Sequence, residues 1–204
     1  MKYDSDFIVF RSKRNTVILR GCIVEKRFAS TETALFEAGM LKLLHKAGVR
    51  VPNPVSVEGS LMKMPYIAGE TLPDILDRFE ILPDQNALEK VVQGIIRWLS
   101  DFYRAVSMEE TGIIRGDVNG RNFLWDGGSC WGVDFEERVK GVKEQDIGRL
   151  LAYVLTYDPP KTPVKMAFAD KLLRDAVCVF SIDPGKAFYF RDQEFAAMFE
   201  RRGS

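Results

Sequence analysis

The sequence predicts an α+β protein, with a β-rich amino-terminal part and a mostly helical remainder. Three observations lead there. Short β-prone runs fill residues 7–28 and return at 55–64. Apolar residues recur at helical spacing over Thr31–Lys46, 87–106 and 145–157. Two further β-prone runs, Phe123–Trp125 and Cys130–Val133, flank Gly127-Gly128, a two-residue hairpin signal because both central positions of such a turn favour φ > 0.

Bulk properties narrow the class. The 204 residues suffice for one ordinary domain or two small ones. With 46% hydrophobic and 28% charged residues, the composition is that of a globular protein and not a disordered one. Lysine plus arginine equals aspartate plus glutamate at 29 each, so net charge indicates neither nucleic acid nor an anionic membrane as partner. Cys22, Cys130 and Cys178 are too scattered for a metal site and read as reduced thiols of a cytoplasmic protein. No leader and no apolar run of membrane length is evident.

Strands are expected at Phe7–Arg11, Thr16–Arg20 and Cys22–Phe28, broken at Ser12-Lys13-Arg14-Asn15 and at Gly21. On the third, alternation puts Lys26 on the same face as Cys22, Val24 and Phe28. An inward lysine needs an anion, whereas a strand-end lysine can simply snorkel to water. The following helix, with Ser30 or Thr31 as its cap and Gly48 as its stop, shifts the balance towards the paired reading. Its apolar face runs through Ala34, Ala38, Leu41 and His45, and Glu37 lies on it as the partner for Lys26. Glu32 falls off that face and reads as a solvated first-turn residue.

Gly48–Pro54 is a rigid connector, followed by strands near Val55–Val57 and Leu61–Met64. Thr71-x-x-Asp74 is a capping-box start with Pro73 in the first turn. Residues 87–106 form the clearest amphipathic helix, assigned to the core. Asp146 opens the helix Gln145–Tyr157, which Asp158-Pro159-Pro160 ends; Val164–Phe180 and Asp192–Arg202 are expected to be helical.

The chemistry concentrates in Ile113–Asp134. If Gly127-Gly128 is the turn, Asp126 faces Ser129 and Asn122 faces Val133, so Asn122 and Asp134 are expected side by side, with Asp117 just upstream. Two carboxylates and an amide gathered in this way suit a hard divalent cation and a phosphate-bearing substrate. His45 is the only histidine and no serine or cysteine is placed beside it, which argues against acyl transfer.

Gly116-Asp117-x4-Asn122, a hairpin, and Asp134-Phe135 together resemble the catalytic and metal loops of the protein-kinase-like fold. The match is nearest to compact members such as the aminoglycoside and choline phosphotransferases and the small kinase of the tRNA-threonylcarbamoylation complex. The resemblance covers roughly residues 15–157 and implies a bilobal protein, with a small antiparallel-sheet N-lobe over 1–68 and a helical C-lobe over 69–204. It further implies an ATP- and Mg²⁺-dependent kinase that transfers the γ-phosphoryl group to a hydroxyl of a protein Ser/Thr or a small molecule. Lys26, positioned by Glu37, would neutralise phosphates. Met64, Pro65 and Ile67 would form the adenine hinge, where proline suits a position that uses only a carbonyl. Asp117 would orient or deprotonate the acceptor, Asn122 and Asp134 would hold Mg²⁺, and Asp146 would accept backbone N–H groups of the catalytic loop. Three departures stand out: no glycine-rich loop at Ser12–Asn15, Arg115 before Gly-Asp, and Glu136 after Asp-Phe, expected as a surface carboxylate with an extra metal contact as the alternative. The missing glycines motivate an alternative, a pseudokinase or nucleotide-binding regulatory subunit acting through protein partners.

Overall fold

A computed structural model describes residues 7–10, 12 and 14–203. Arg11, expected to end a strand, and Lys13, in the expected Ser12–Asn15 break, lie outside the described residues. The chain divides into two compact units: Met1–Ala68 with Val133–Glu137, and Gly69–Gly132 with Arg138–Ser204.

In the first unit, strands β1 (Phe7–Phe10), β2 (Thr16–Arg20), β3 (Ile23–Arg27), β4 (Ser56–Glu58) and β5 (Leu61–Pro65) form an antiparallel sheet in the order β1-β2-β3-β5-β4. Helix α1 (Thr31–Lys46) starts at Ser30, whose hydroxyl accepts from the Thr33 amide. It ends at Gly48, where φ of +82° calls for a residue without Cβ. Its buried face is Ala34, Glu37, Ala38, Met40, Leu41 and Leu44. His45, expected on that face, is exposed. Leu44 fills the face instead, one residue earlier, and leaves the single histidine in solvent. Val24 from β3 and Phe28 just after it, with Met62 and Met64 from β5, complete this core. Each such side chain contributes about 1.5–3 kcal/mol of burial.

The second unit holds helices α2 (Leu72–Ile81), α3 (Gln85–Ala105), α4 (Met108–Thr111), α5 (Lys143–Thr156), α6 (Pro163–Phe180) and α7 (Pro184–Gly203). The Thr71/Asp74 capping box forms as expected, because each side chain satisfies a backbone amide that the first helical turn leaves unpaired. The stripe of α3 is buried from Leu88 to Phe102, with Trp98 stacked on Phe102 at 5.6 Å and edge-on to Phe123 at 5.5 Å. Two small sheets accompany the helices. Strands β6 (Glu70–Thr71), β8 (Phe123–Trp125) and β9 (Cys130–Gly132) form one, and β7 (Ile113–Ile114) pairs with β10 (Val139–Lys140) in the other.

The β8–β9 register is the one expected, Phe123 opposite Gly132 and Trp125 opposite Cys130. The turn chemistry differs. Only Gly127 of the glycine pair has positive φ, +94°, which makes the turn of the II′ kind and not the I′ kind. Asp126 drives this, since its Oδ1 accepts from the amides of Gly128 at 2.9 Å and Ser129 at 2.8 Å. Among the described residues no helix is long and apolar enough to cross a membrane.

Candidate active site

Lys26 is 5% exposed, and its ammonium does not snorkel outward. Strand β3 alternates, and Lys26 follows Val24 on the covered face, beneath α1. Its Nζ lies 2.8 Å from Glu37 Oε2, 2.8 Å from Asp134 Oδ1 and 2.9 Å from Glu136 Oε1. Burial opposes its charge, but Glu37 and then Asp134 more than offset that penalty and hold the amine above its ordinary range. Glu37 is fully buried. Burial pushes its carboxyl up, Lys26 pulls it down, and the charge of Asp134 adds to the rise.

Asp134 adopts φ of +68°, a left-handed conformation that aspartate tolerates better than most residues and that recurs at functional sites. Its side chain is 41% exposed and open to a ligand. Glu136 is not the surface carboxylate expected from sequence. It is half-buried on Lys26, and the Asn15 amide of the β1–β2 turn donates to it. In the same turn Arg14 pairs with Glu137 at 3.1 Å. This turn therefore engages the residues that follow Asp134-Phe135 by side chains, where a glycine-rich loop would offer backbone amides.

Oxygens of Glu37, Asp134 and Glu136 all lie within 4.8 Å of one another. Such a hard oxygen set is of the kind that Mg²⁺ takes, and here the Lys26 ammonium fills its centre.

In the second unit the loop after β7 carries Asp117. Asp146, at the start of α5, accepts from the amides of Arg115 and Gly116, both at 2.8 Å, and from Tyr103 Oη at 2.9 Å. It is fully buried, and it takes the loop-holding part that the resemblance implies. Burial raises its carboxyl pKa, and the Gly116 and Arg115 amides oppose that rise. Gly116 needs to be glycine, since φ is +75° and a Cβ would stand 2.4 Å from Val139 Cγ2.

Asp117 itself is exposed, and its Oδ1 accepts from the Asn119 amide at 3.1 Å. Asn122 is buried in a 3₁₀ turn (Gly120–Asn122), with its Nδ2 3.4 Å from the Asp117 carbonyl. Tyr157 Oη accepts from the Gly120 amide at 2.9 Å and lies 3.3 Å from Asn119 Oδ1, a support that periodicity alone did not single out.

Of the expected site residues, then, Lys26, Glu37 and Asp134 come together in the first unit, while Asp117 and Asn122 share the loop of the second. Met64 is buried on β5, Pro65 closes that strand opposite Ile23, and Ile67, half-buried, follows outside it. The Tyr66 amide is taken by the Cys22 carbonyl at 2.8 Å.

The family model of the RIO domain matches residues 7–152. The chain belongs to the RIO-domain family. No curated protein matches the sequence. Among solved structures, this RIO domain is similar to a choline/ethanolamine kinase family protein from Mesorhizobium loti, at 18% identity and a TM-score of 0.54 over 96% of this chain and 87% of that one. It is also similar to the ADP-bound aminoglycoside phosphotransferase APH(2'')-Ib, at 13% identity and a TM-score of 0.68 over 93% of this chain and 81% of that one. A third is APH(2")-IIa in complex with gentamicin, at 13% identity and a TM-score of 0.54 over 85% and 82% of the two chains. The fold is kinase-like, a small antiparallel sheet with α1 followed by a mostly helical part, and the family supports a kinase-like phosphotransferase.

Proposed function

We propose that this RIO domain transfers the γ-phosphoryl group of Mg-ATP to a hydroxyl, borne by a protein Ser/Thr or by a small molecule. The observation that carries the reading is Lys26, a buried ammonium held at 2.8 Å by both Glu37 and Asp134. A buried lysine so placed is a fixed positive charge for phosphate oxygens, and phosphoryl transfer depends on such charge and on in-line positioning.

Asp117 orients the acceptor hydroxyl and takes its proton. Asp134 and Asn122 would hold Mg²⁺, and oxygens of Glu37 and Glu136 lie within 4.8 Å of that of Asp134. Bound Mg²⁺ neutralises charge on the β- and γ-phosphates. Met64, the Pro65 carbonyl and Ile67 line the adenine. The lobes are 1–68 and 69–204, and the protein is cytoplasmic. Small-molecule acceptors draw support from the names of the similar structures, one a choline/ethanolamine kinase family protein and one a gentamicin complex.

A second reading has its own observation. The ammonium of Lys26 already contacts three carboxylates, and the Ser12–Asn15 stretch contains no glycine. A domain that binds nucleotide to signal to a protein partner, without transfer, fits that saturation.

Calorimetric titration with ATP, with and without Mg²⁺, tests both. Phosphotransfer expects Mg²⁺-dependent binding that Asp134→Asn abolishes, and ADP formation that Asp117→Asn abolishes while binding survives. Turnover undiminished in Asp117→Asn would remove Asp117 from its role. Binding without any turnover would favour the second reading, and no binding at all would leave neither.

A further inference from the structure

Helix α7 lies beyond the 7–152 span that the family model matches, and it packs against α5, whose Arg149 touches the loop that carries Asp117. Gly148 allows this approach: a Cβ there would stand 2.4 Å from the Ala187 carbonyl. Glu194 of α7 is 9% exposed. It pairs with Arg149 Nε of α5 at 3.6 Å and with Arg201 Nη2 at 2.6 Å. Arg149 extends its other arm to the catalytic loop, and Nη1 donates to the Gly116 carbonyl at 3.3 Å.

Asp146 and Arg149 are three residues apart on α5 and share one face. Asp146 accepts the Gly116 N–H at 2.8 Å, and Arg149 donates to the Gly116 C=O. Those two groups belong to the two peptide planes that flank Gly116. Peptide planes are rigid, so only φ and ψ of Gly116 separate them. Glycine is the loosest joint a backbone can have, and here it immediately precedes Asp117. Holding both planes fixes that joint at φ of +75° and so fixes the direction in which Asp117 leaves the loop.

Resting on the reading of Asp117 as the acceptor-orienting residue, we propose that Arg149 is a positioning residue for the catalytic loop, braced by Glu194, so that α7 sets the orientation of Asp117. The simpler role, a tie between α5 and α7, leaves the bond to the Gly116 carbonyl unused. That packing already rests on the Gly148–Ala187 approach. Tyr153 stands in the same neighbourhood. Burial first, then Glu194 and Asp117, push its hydroxyl up to about 12, against Arg201 and Arg149.

Amide hydrogen exchange, together with ADP formation from Mg-ATP, on Arg149→Gln, Arg149→Lys and Glu194→Gln decides the matter. In Arg149→Gln the amides of Asp117 and Val118 should exchange faster while those in the body of α5 and α7 keep their protection. The kcat should fall on the order of 10- to 100-fold with KM for ATP unchanged, as expected when a reacting group is displaced by about an ångström. Glu194→Gln should give a smaller change of the same kind, and Arg149→Lys should recover part of the loss because one donor is retained. Unchanged exchange at 115–118, or faster exchange spread equally over α5 and α7, overturns the proposal. Wild-type protein that forms no ADP removes the phosphotransfer reading, and the exchange data then still decide whether Arg149 holds the loop.

Discussion

Glu136 Oε1 lies 2.9 Å from Lys26 Nζ and takes up the third face of an ammonium whose other contacts are Glu37 and Asp134. A single cation thus serves three carboxylates. A triphosphate that approaches Lys26 must displace one of them or bring its own cation.

Replacing Glu136 by Gln should therefore tighten the binding of Mg²⁺-free ATP. One negative charge about 4 Å from a phosphate is worth about 1 kcal/mol in water and about 4 at an effective dielectric of 20. A roughly tenfold lower Kd in calorimetry corresponds to about 1.4 kcal/mol of that range. An unchanged or weaker Kd would mean that Glu136 does not compete with phosphate for Lys26.

Lys26 also sets a test of stability against pH. Its folded pKa lies above the model-compound value of 10.5, so above pH 10.5 the unfolded chain loses its proton first. The folded protein then binds more protons than the unfolded one, and stability falls as pH rises. The contribution is complete below 10.5 and is lost as pH climbs through the folded value. Urea midpoints on the alkaline side should decline more steeply for wild type than for Lys26→Met, and parallel declines would contradict the pairing. At neutral pH the same variant should lose about 3–5 kcal/mol, because Glu37 is left as an uncompensated buried charge.

Asp146→Ala would leave three donors without their acceptor, the Arg115 and Gly116 amides and the Tyr103 hydroxyl. At about 1–3 kcal/mol for each orphaned buried group, a loss of roughly 3 kcal/mol or more in denaturant unfolding is expected. Asp146→Asn keeps one acceptor oxygen and should cost less. Equal losses would show that the cavity and not the hydrogen bonds dominates.

Gly148→Ala would set a methyl against the Ala187 carbonyl and force α7 away from α5. Overpacking of this kind costs about 1–3 kcal/mol. The Tm should drop, and local exchange in α7 should rise more than in α3. A neutral substitution would mean that the two helices separate without cost.

Much of this protein was legible in its residues because local rules dominate at those places. Alternation on β3 placed Lys26 inward, helical spacing placed Glu37 on the covered face of α1, and the β8–β9 register followed from a two-residue turn. The Thr71/Asp74 cap and the α3 stripe are equally local. His45 and Glu136 were misread for one shared reason. Spacing ranks candidate faces, but only the packed neighbours determine where a helical face ends and whether an acidic side chain finds a cation.

By itself, then, the sequence indicated the strands of the five-stranded sheet, the β8–β9 hairpin, most of the long helices, the Lys26–Glu37 pairing and the loop that carries Asp117 and Asn122, but not the short β6, β7, β10 and α4. The hold of Asp146 on that loop was implied by the resemblance, whereas the tie from Arg149 and Glu194 was decided by tertiary structure alone. Asp146 and Arg149 are about thirty residues from Gly116 along the chain, and Glu194 is farther still. Periodicity reaches only a few residues along the chain. Contacts among such distant polar groups arise when helices pack and buried N–H and C=O groups must find partners, and no short-range pattern encodes them.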